Sequence, residues 1–517
     1  MIFRLGVDVG GTHTDAVVLN EKNDVVASAK NLTTVDIMSG IDRSISEVLV
    51  DSNINVCSIK SVMIGTTHYS NAIVERKDLN SVAHFRLGAP NTLSIPPLSD
   101  VPGDLKSKIS IYKFIVDGGV EYNGDILSSI DQCEIRECLQ KIKGKVDAVS
   151  ICGVFSPFFN MQEIRVKEIV IEELGNIPVT LSHNIGNIGL LERENSTILN
   201  ASLLLLSNKV VAVIHEILSK KNINAWLYFS QNDGTLMPEK YAREYPILMV
   251  SSGQTNSMRG ASHLGKIKNA MIVDVGGTTT DIGLVSNGFP HKSSFVSTIG
   301  GVRTNFHMPD IESIALGGGS IVNILPNGKV KIGPASVGYN LAKYSLVFGG
   351  DVLTITDIAV AKGLIAIGDV KLVKHLPIDL VNQVIDLYID ILGKAIHRMK
   401  INNNDIPLIV VGGGGFIINK EFKGISSILR PEKYDVANAI GVAMGMVGGQ
   451  AEKLFSLKQI SLDCAIEKTK KHAIQNAINA GALPDSVIVI DFEYEHIPYS
   501  TESEVRIFSK AAGVPYN

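Results

Sequence analysis

The sequence predicts an α/β protein built around a strand-turn-strand unit that occurs twice, and two observations carry that prediction. The phrase "GVDVGGTHTD" (residues 6–15) returns as "IVDVGGTTTD" (residues 272–281). Each time an apolar run enters an Asp-x-Gly-Gly turn and a second run, "AVVL" or "IGLV", leaves it, which is the pattern of a hairpin. Elsewhere short Val/Ile/Leu runs such as "VDAVSICGVF" and "DIPLIVVGGGG" alternate with longer stretches of helical spacing such as "MQEIRVKEIVIEELG" and "LVNQVIDLYIDILGKAIHRMK". Such alternation is the mark of α/β architecture.

A chain of 517 residues exceeds one hydrophobic core and predicts two to four domains. Hydrophobic residues are 45%, charged residues 19% and the formal net charge is −4, so no basic field exists for nucleic acid or acidic lipid. A small-molecule ligand is expected. The cysteines (Cys57, Cys133, Cys138, Cys152, Cys464) form neither a disulfide framework nor a Cys-x-x-Cys pair and read as thiols of a reducing cytosol. The N-terminus reaches Asp8 and a glycine pair before an apolar leader could form, and no stretch approaches about 18 uncharged apolar residues. A cytoplasmic protein is therefore expected, without a membrane span.

Taken in order, residues 1–183 are expected to form a first half and 184–449 a second half, with 184–264 as a linker or insertion and 450–517 as a short C-terminal cap. Within the first half, "LGAPNTLSIPPLSDVP" (87–102) carries four of the 18 prolines and reads as irregular connection. Residues 195–218, "NSTILNASLLLLSNKVVAVIHEIL", have helical apolar spacing, and "AWLYFSQNDG" after them reads as strand. The cap segment reads as a helix, then a strand with acidic and aromatic residues ending in "EYEHIPYS".

The repeated phrase has its own chemistry. Two glycines after a strand let the backbone approach a ligand closely, and turn amides that converge on one point suit a phosphate. The threonines add hydroxyl donors, and Asp8 and Asp274 close each strand with a carboxylate able to hold hydrated Mg²⁺ or orient water. One copy would read more readily as a plain hairpin turn; two copies in the same strand context reverse that preference and favour a ligand.

Two such hairpins facing each other across a cleft would grip the β- and γ-phosphates of a nucleotide. In this the chain resembles the actin, hexokinase and chaperone ATPase superfamily, which implies duplicated ribonuclease H-like halves around a nucleotide cleft. The resemblance implies further parts in order. They are a connecting helix at "IGTTHYSNAIVER" (64–76), an adenosine-binding turn at "PLIVVGGGGF" (407–416), and a small-residue helix at "DVANAIGVAMGMVGG" (435–449). Ala437, Gly441, Ala443 and Gly445 would let the last helix cross the connecting helix closely. Other motifs fail: "GASHLGKI" (260–267) has Ile267 where a P-loop needs Ser or Thr, and "HEILS" (215–219) lacks the second histidine of a zinc protease.

The blocks "GVDVGGTHTD", "GTTHYSNAIVER", "SHNIGNIGLLERENSTILNASL", "SQNDGTLMPEKYAREYPILMVSSG", "IESIALGGGSIV", "KIGPASVG" and "GGDVLTITDIAVAKGLI" together resemble the hydantoinase/oxoprolinase family, in its ATP-binding A-type subunit, over about residues 3 to 449. The resemblance implies ATP-dependent opening of a cyclic amide such as a hydantoin or 5-oxoproline, or in some relatives carboxylation of a ketone, with ATP and Mg²⁺ as cofactors. It makes Asp8 and Asp274 holders of Mg²⁺ or its waters and Asp15 and Asp281 supports of the hairpins or metal shell. These four are the candidate catalytic residues. Gly10, Gly11, Thr12, His13, Thr14, Gly276, Gly277, Thr278 and Thr279 would cradle or flank phosphates, and Gly412, Gly413, Gly414 and Gly415 would lie against adenosine. Gly317 and Gly318, opening a block that runs to Ser320, line the same cleft or form a buried turn. His13 and His68 are either cleft residues or structural ones, and Arg259 and Arg303 are candidate cleft cations.

The chain departs from the family pattern in two places. The segment after "KIGPASVG" reads "YNLAKYSLVF", and the phrase near the linker reads "SSGQTNSMRG". Typical A-type subunits continue through a further domain after the small-residue helix, so a short form is expected, with a separate B-type hydantoinase subunit as partner in a hetero-oligomer. Two other readings stay open: a small-molecule kinase, and an ATP-driven reactivase or chaperone of the same fold.

Overall fold

Both Asp-x-Gly-Gly phrases form hairpins, and the strands around them repeat. The computed structural model describes residues 2–33, 37–293, 297–306, 308–326, 328–497 and 504–516. In the first hairpin Phe3–Val9 runs antiparallel to His13–Leu19, with Asp8 opposite Asp15. In the second, Ala270–Val275 runs antiparallel to Thr280–Ser286, with Asp274 opposite Asp281. Each hairpin gains a third antiparallel neighbour beyond its second strand, Val25–Leu32 in one case and Ile311–Ile314 in the other. Each first strand then pairs in parallel with a later strand, Ile59–Thr66 or Ile406–Val411. A helix precedes each parallel strand, Ile37–Ser52 and Ile378–Met399 respectively. This is a duplicated ribonuclease H-like topology within a mixed α/β protein.

The sequence chemistry explains the elements. The run "LIVV" at 408–411 is buried along its whole length, as a parallel strand covered on both faces must be. Ile378–Met399 buries Val381, Val384, Ile385, Tyr388, Leu392, Ala395 and Ile396, a stripe of three- and four-residue spacing. The stripe packs with Met271, Val273, Ile282, Leu408 and Val410 in one core. Each large side chain so buried contributes roughly 1.5–3 kcal/mol.

Contacts divide the chain into two units interleaved in sequence: residues 1–66, 252–292 and 309–444, and residues 67–251, 293–308 and 445–517. This is a division by packing, whereas the partition at 183/184 and 449/450 follows sequence blocks. The first unit carries both hairpins. The second unit contains a parallel sheet in the order Ser110–Asp117, Val82–Ala89, Ala148–Gly153, Val179–Leu181. Its apolar core includes side chains of helices Gln132–Ile142 and Met161–Leu174. The helix expected around 195–218 spans Leu190–Lys220, and Trp226–Ser230 follows it as the expected strand. By length and mean hydropathy (1.7) Leu190–Lys220 could cross a membrane, but 72% of its apolar window is buried inside the protein, as in a core helix. Its Glu194 lies within a buried cluster, accepting from Arg86 Nε at 2.7 Å and pairing with His84 Nε2 at 2.7 Å.

Two expectations are corrected. The small-residue helix is short, Ala437–Ala443, and the chain is already extended from Met446 in the strand Met446–Ser456. Its close partner is the helix Ser252–Gly265; residues 64–76 contain the end of the strand Ile59–Thr66, whose Gly65 faces Val442, and the helix His68–Glu75 of the second unit. A Cβ on Gly260 would lie 1.9 Å from the Ala437 carbonyl oxygen, and one on Gly441 1.8 Å from that of Asn256. Glycine on both sides is what lets the helix backbones touch. The C-terminal region forms the expected helix, Leu462–Asn479, and a strand, Ile488–His496; residues 498–500 of the quoted segment lie outside the described residues.

Candidate active site

The two hairpin turns are built alike. Gly10 N–H donates to the His13 carbonyl at 2.9 Å, and Gly276 N–H to the Thr279 carbonyl at 2.9 Å. Thr33 braces the first turn, donating through Oγ1 to the Gly10 carbonyl at 2.8 Å and through N–H to the Thr12 carbonyl at 2.9 Å. The second turn is braced by the Gly317–Gly319 run: Gly318 N–H reaches the Gly276 carbonyl at 3.0 Å and Gly319 N–H the Gly277 carbonyl at 2.7 Å. A Cβ on Gly317 would lie 2.7 Å from the Gly276 oxygen, so Gly317 and Gly318 form a buried turn behind the hairpin. Gly11 and Gly277 face the other way, and a Cβ there would meet nothing within 4 Å. Thr12 and His13 are half-buried, and Thr278 and Thr279 are exposed beside those open glycines. Thr14, by contrast, is fully buried, its hydroxyl 3.2 Å from that of Thr33.

The glycine run 412–415 closes on the second hairpin. Gly412 has φ +82°, and a Cβ there would sit 2.1 Å from Asp274 Oδ1 and 2.5 Å from the Val275 carbonyl oxygen. Gly414 N–H donates to that same carbonyl at 2.8 Å, while Gly413 is exposed with open space around its Cα. Gly65 repeats the relationship at the first hairpin, since a Cβ there would meet Asp8 Oδ1 at 2.3 Å. Each hairpin carboxylate thus leans on a glycine near the end of the neighbouring parallel strand.

One helix serves both hairpins. From Ser252–Gly265, Asn256 Nδ2 donates to Asp8 Oδ1 at 3.3 Å and Gln254 Nε2 donates to Asp281 Oδ1 at 3.2 Å. On the same helix, the buried Ser257 hydroxyl lies by Asp274 without a hydrogen bond of normal geometry. Asp15 is tied instead to Lys30, whose Nζ is 3.0 Å from both carboxylate oxygens and donates to the Asp435 carbonyl at 2.8 Å. Asp281 also accepts from the Ser313 hydroxyl. Asp15 and Asp281 therefore brace the hairpins, while Asp8 is held by two amides, those of Asn256 and Asn438.

The carboxylates share an unfavourable environment for charge. Burial and the neighbouring Asp15 push Asp8 up to about 7, with Asp274 adding to the effect. Burial raises Asp15 to about 6 despite Lys30, and Asp281 to about 6 with Asp274 contributing. Burial also raises Asp274. Desolvated, mutually repelling carboxylates with an orphan hydroxyl beside them suit a divalent cation, which would relieve both costs. Among the described residues no group of three or more His, Cys, Asp and Glu converges on a metal-binding geometry. That donor set fits Mg²⁺, which commonly takes one or two carboxylates with phosphate oxygens and water, better than a cation needing an all-protein cage. His13 is pushed down to about 4 by burial and by Lys30, so its imidazole is neutral near pH 7.

Arg259 stacks its guanidinium 4.6 Å from the Phe289 ring centroid, a packing role. His68 and Arg303 belong to the second unit, where Arg303 pairs with Glu192 at 2.7 Å. Sequence reasoning missed Lys30, Gly65, Gln254, Asn256 and Ser257.

Residues 4–174 match the family described as hydantoinase/oxoprolinase N-terminal region, and residues 193–370 match hydantoinase/oxoprolinase. The caprolactamase alpha subunit of Pseudomonas jessenii is 25% identical over 401 residues, covering 71% of this chain and 55% of that subunit. The chain thus spans about half the length of that curated relative. The crystal structure of the ATP-dependent caprolactamase of the same organism superposes with a TM-score of 0.78 at 19% identity, covering 99% of this chain and 87% of that one. Nucleotide-free acetone carboxylase superposes with a TM-score of 0.72 at 17% identity, covering 99% and 88%. At these identities both likenesses establish the shared fold.

Proposed function

This chain belongs to the hydantoinase/oxoprolinase family, and from that premise we propose that it is an ATP-binding subunit that activates a cyclic amide for ring opening. The observation that carries the reading is the pairing of two glycine hairpins by one helix, with Asn256 on Asp8 and Ser257 beside Asp274. Amides and hydroxyls at Gly11, Thr12, Gly277, Thr278 and Thr279 would receive the phosphates, and Gly413 would leave room for the adenosine. Asp8 and Asp274 would hold Mg²⁺, which when bound neutralises phosphate charge as the γ-phosphoryl group leaves ADP.

An amide carbonyl is a poor electrophile. In the proposed sequence the amide oxygen attacks the γ-phosphorus as the bond to the ADP oxygen breaks. Water then adds to the activated ring carbon and the C–N bond breaks, releasing the amine and leaving an acyl phosphate; a second water adds to that acyl carbon, and phosphate departs with the former amide oxygen to leave the carboxylate. Positioning and charge neutralisation account for most of what the protein must supply in the first step. The hydrolytic step would fall to a B-type partner subunit in a cytoplasmic hetero-oligomer, in keeping with a curated relative described as a subunit.

The test is ADP release by the purified chain with hydantoin, 5-oxoproline and unsubstituted lactams, with and without a B-type partner. Stimulation by at least one cyclic amide is expected. Turnover indifferent to every cyclic amide, partner present, overturns the reading. A stable phosphorylated product with no ring opening would assign a kinase, and stimulation by a protein client alone would assign a reactivase.

A further inference from the structure

The second unit holds a cavity of about 530 Å³, within the range of small-molecule sites and lined only by residues of that unit. Carboxamides dominate its polar wall: Asn184, Asn187, Gln231, Asn232, Gln450 and Asn476. Rings of Phe158 and Phe306 supply apolar surface.

At one side His183 enters the cavity from a buried carboxylate. Glu163, fully buried, accepts from Gly153 N–H at 2.8 Å and from the Ser182 hydroxyl at 2.6 Å through Oε1. Its Oε2 lies 2.6 Å from His183 Nδ1 and 3.2 Å from His183 N. In that geometry Nδ1 donates to the carboxylate, and Nε2 is left with no partner among the described residues. Asn184, exposed at the rim, likewise has no side-chain partner among them. An oriented imidazole and a spare amide on neighbouring residues are hydrogen-bonding groups available to a ligand.

The wall is charged, but its charges are spoken for. Lys510 Nζ is 2.6 Å from Asp233 Oδ2, Glu452 pairs with Arg506, and Glu244 takes a hydrogen bond from the Tyr245 hydroxyl. An anionic ligand would meet three lining carboxylates and one ammonium already paired. A cationic ring amine would bring no carbonyl for the wall's carboxamides. Either gains less than a dipolar, neutral molecule seated on the side-chain amides of Asn184 and Gln450, which have no partner among the described residues.

We propose that this cavity binds a small neutral ring amide, its amide edge hydrogen-bonded by His183 Nε2 and by a carboxamide such as Asn184. The choice of ring amide rests on the function proposed above, but the binding is read without ATP or turnover, so the two can fail separately.

The test is calorimetric titration of the full chain, without nucleotide, with three five-membered rings matched in size: 2-pyrrolidinone (neutral), 5-oxoproline (anionic) and pyrrolidine (cationic). Pyrrolidinone should bind at least tenfold more tightly than either charged ring. His183→Ala should weaken it at least tenfold, and Asn184→Trp, filling the cavity from its exposed rim without touching the buried pair, should abolish it. No binding of pyrrolidinone, tighter binding of either charged ring, or binding unaltered by Asn184→Trp overturns the proposal. If His183→Ala does not fold, Asn184→Trp decides. Lactam-stimulated ATP turnover with binding unaltered by Asn184→Trp would leave the function standing and remove the cavity from it. Pyrrolidinone binding without any stimulated turnover would do the reverse.

Discussion

Replacing Gly441 with alanine should loosen the whole hairpin site through a single methyl group. The new Cβ would lie 1.8 Å from the Asn256 carbonyl oxygen, 2.7 Å from its carbonyl carbon and 3.0 Å from Gly260 N. All three obstacles are helix backbone, so no side chain can swing aside. Bringing the closest pair to ordinary contact requires the helices Ser252–Gly265 and Ala437–Ala443 to part by roughly 1.5 Å. Overpacking of this kind costs about 1–3 kcal/mol, and the upper end applies where backbone must move. Met258, Ala261, Ile272, Ile409 and Ala437, which share the core beneath the crossing, would lose contact with it. The urea dependence rises with protein size above the roughly 1–3 kcal/mol per molar of small proteins, so a loss of ~3 kcal/mol lowers the midpoint by up to about 1 M. Asn256 rides on the displaced helix, so its 3.3 Å bond to Asp8 would stretch and ATP turnover would fall with stability. The assay is urea unfolding followed by circular dichroism, with Gly413→Ala as control because a Cβ there meets nothing within 4 Å. A Gly441→Ala midpoint within about 0.2 M of the unsubstituted protein would refute the close crossing.

Gly11→Ala and Gly277→Ala should leave the urea midpoint unchanged, since both Cβ positions are open, yet weaken ATP binding at least tenfold; unaltered ATP affinity would remove phosphate from the hairpins. Asp8→Asn should abolish ATP turnover while stabilising the fold in alkali. Because the folded pKa of Asp8 is raised from 3.8 to about 7, stability declines as pH climbs between those values and stays lowered above the upper one. At ~1.4 kcal/mol per pH unit the variant should gain up to about 4 kcal/mol at pH 8 and nothing near pH 3.5, which urea midpoints at the two pH values would check. An equal midpoint difference at both would contradict the buried, repelled carboxylate. His13→Thr copies the second hairpin into the first. With the imidazole already neutral above about pH 4, the pH profile of turnover from 5.5 to 8 should not move, and a displaced profile would show that His13 titrates there.

How much of this was legible beforehand depends on whether a feature is local. Both hairpins declare themselves because alternating apolar residues and a Gly-Gly turn act over a dozen positions, and the "LIVVGGGG" turn does the same. The helix Leu190–Lys220 was visible through its apolar spacing, although that spacing does not say that the helix lies in a core rather than a bilayer. Ser252–Gly265 was not legible. Its buried positions include Thr255, Asn256, Ser257, Arg259 and Ser262, so no apolar stripe marks it, and its value lies in partners far away in sequence. Gly260 is informative only beside Ala437, and Asn256 only beside Asp8. The same holds for Lys30, an ordinary surface cation in sequence that becomes a brace once Val25–Leu32 pairs with His13–Leu19 and sets Lys30 opposite Asp15. A repeated phrase can therefore announce a ligand site, while the residues that hold its carboxylates in place are chosen by packing. That is why the two hairpins, nearly identical in sequence, present differently supported aspartates: Asp15 answers to a lysine from its own sheet, and Asp281 to a glutamine from the crossing helix.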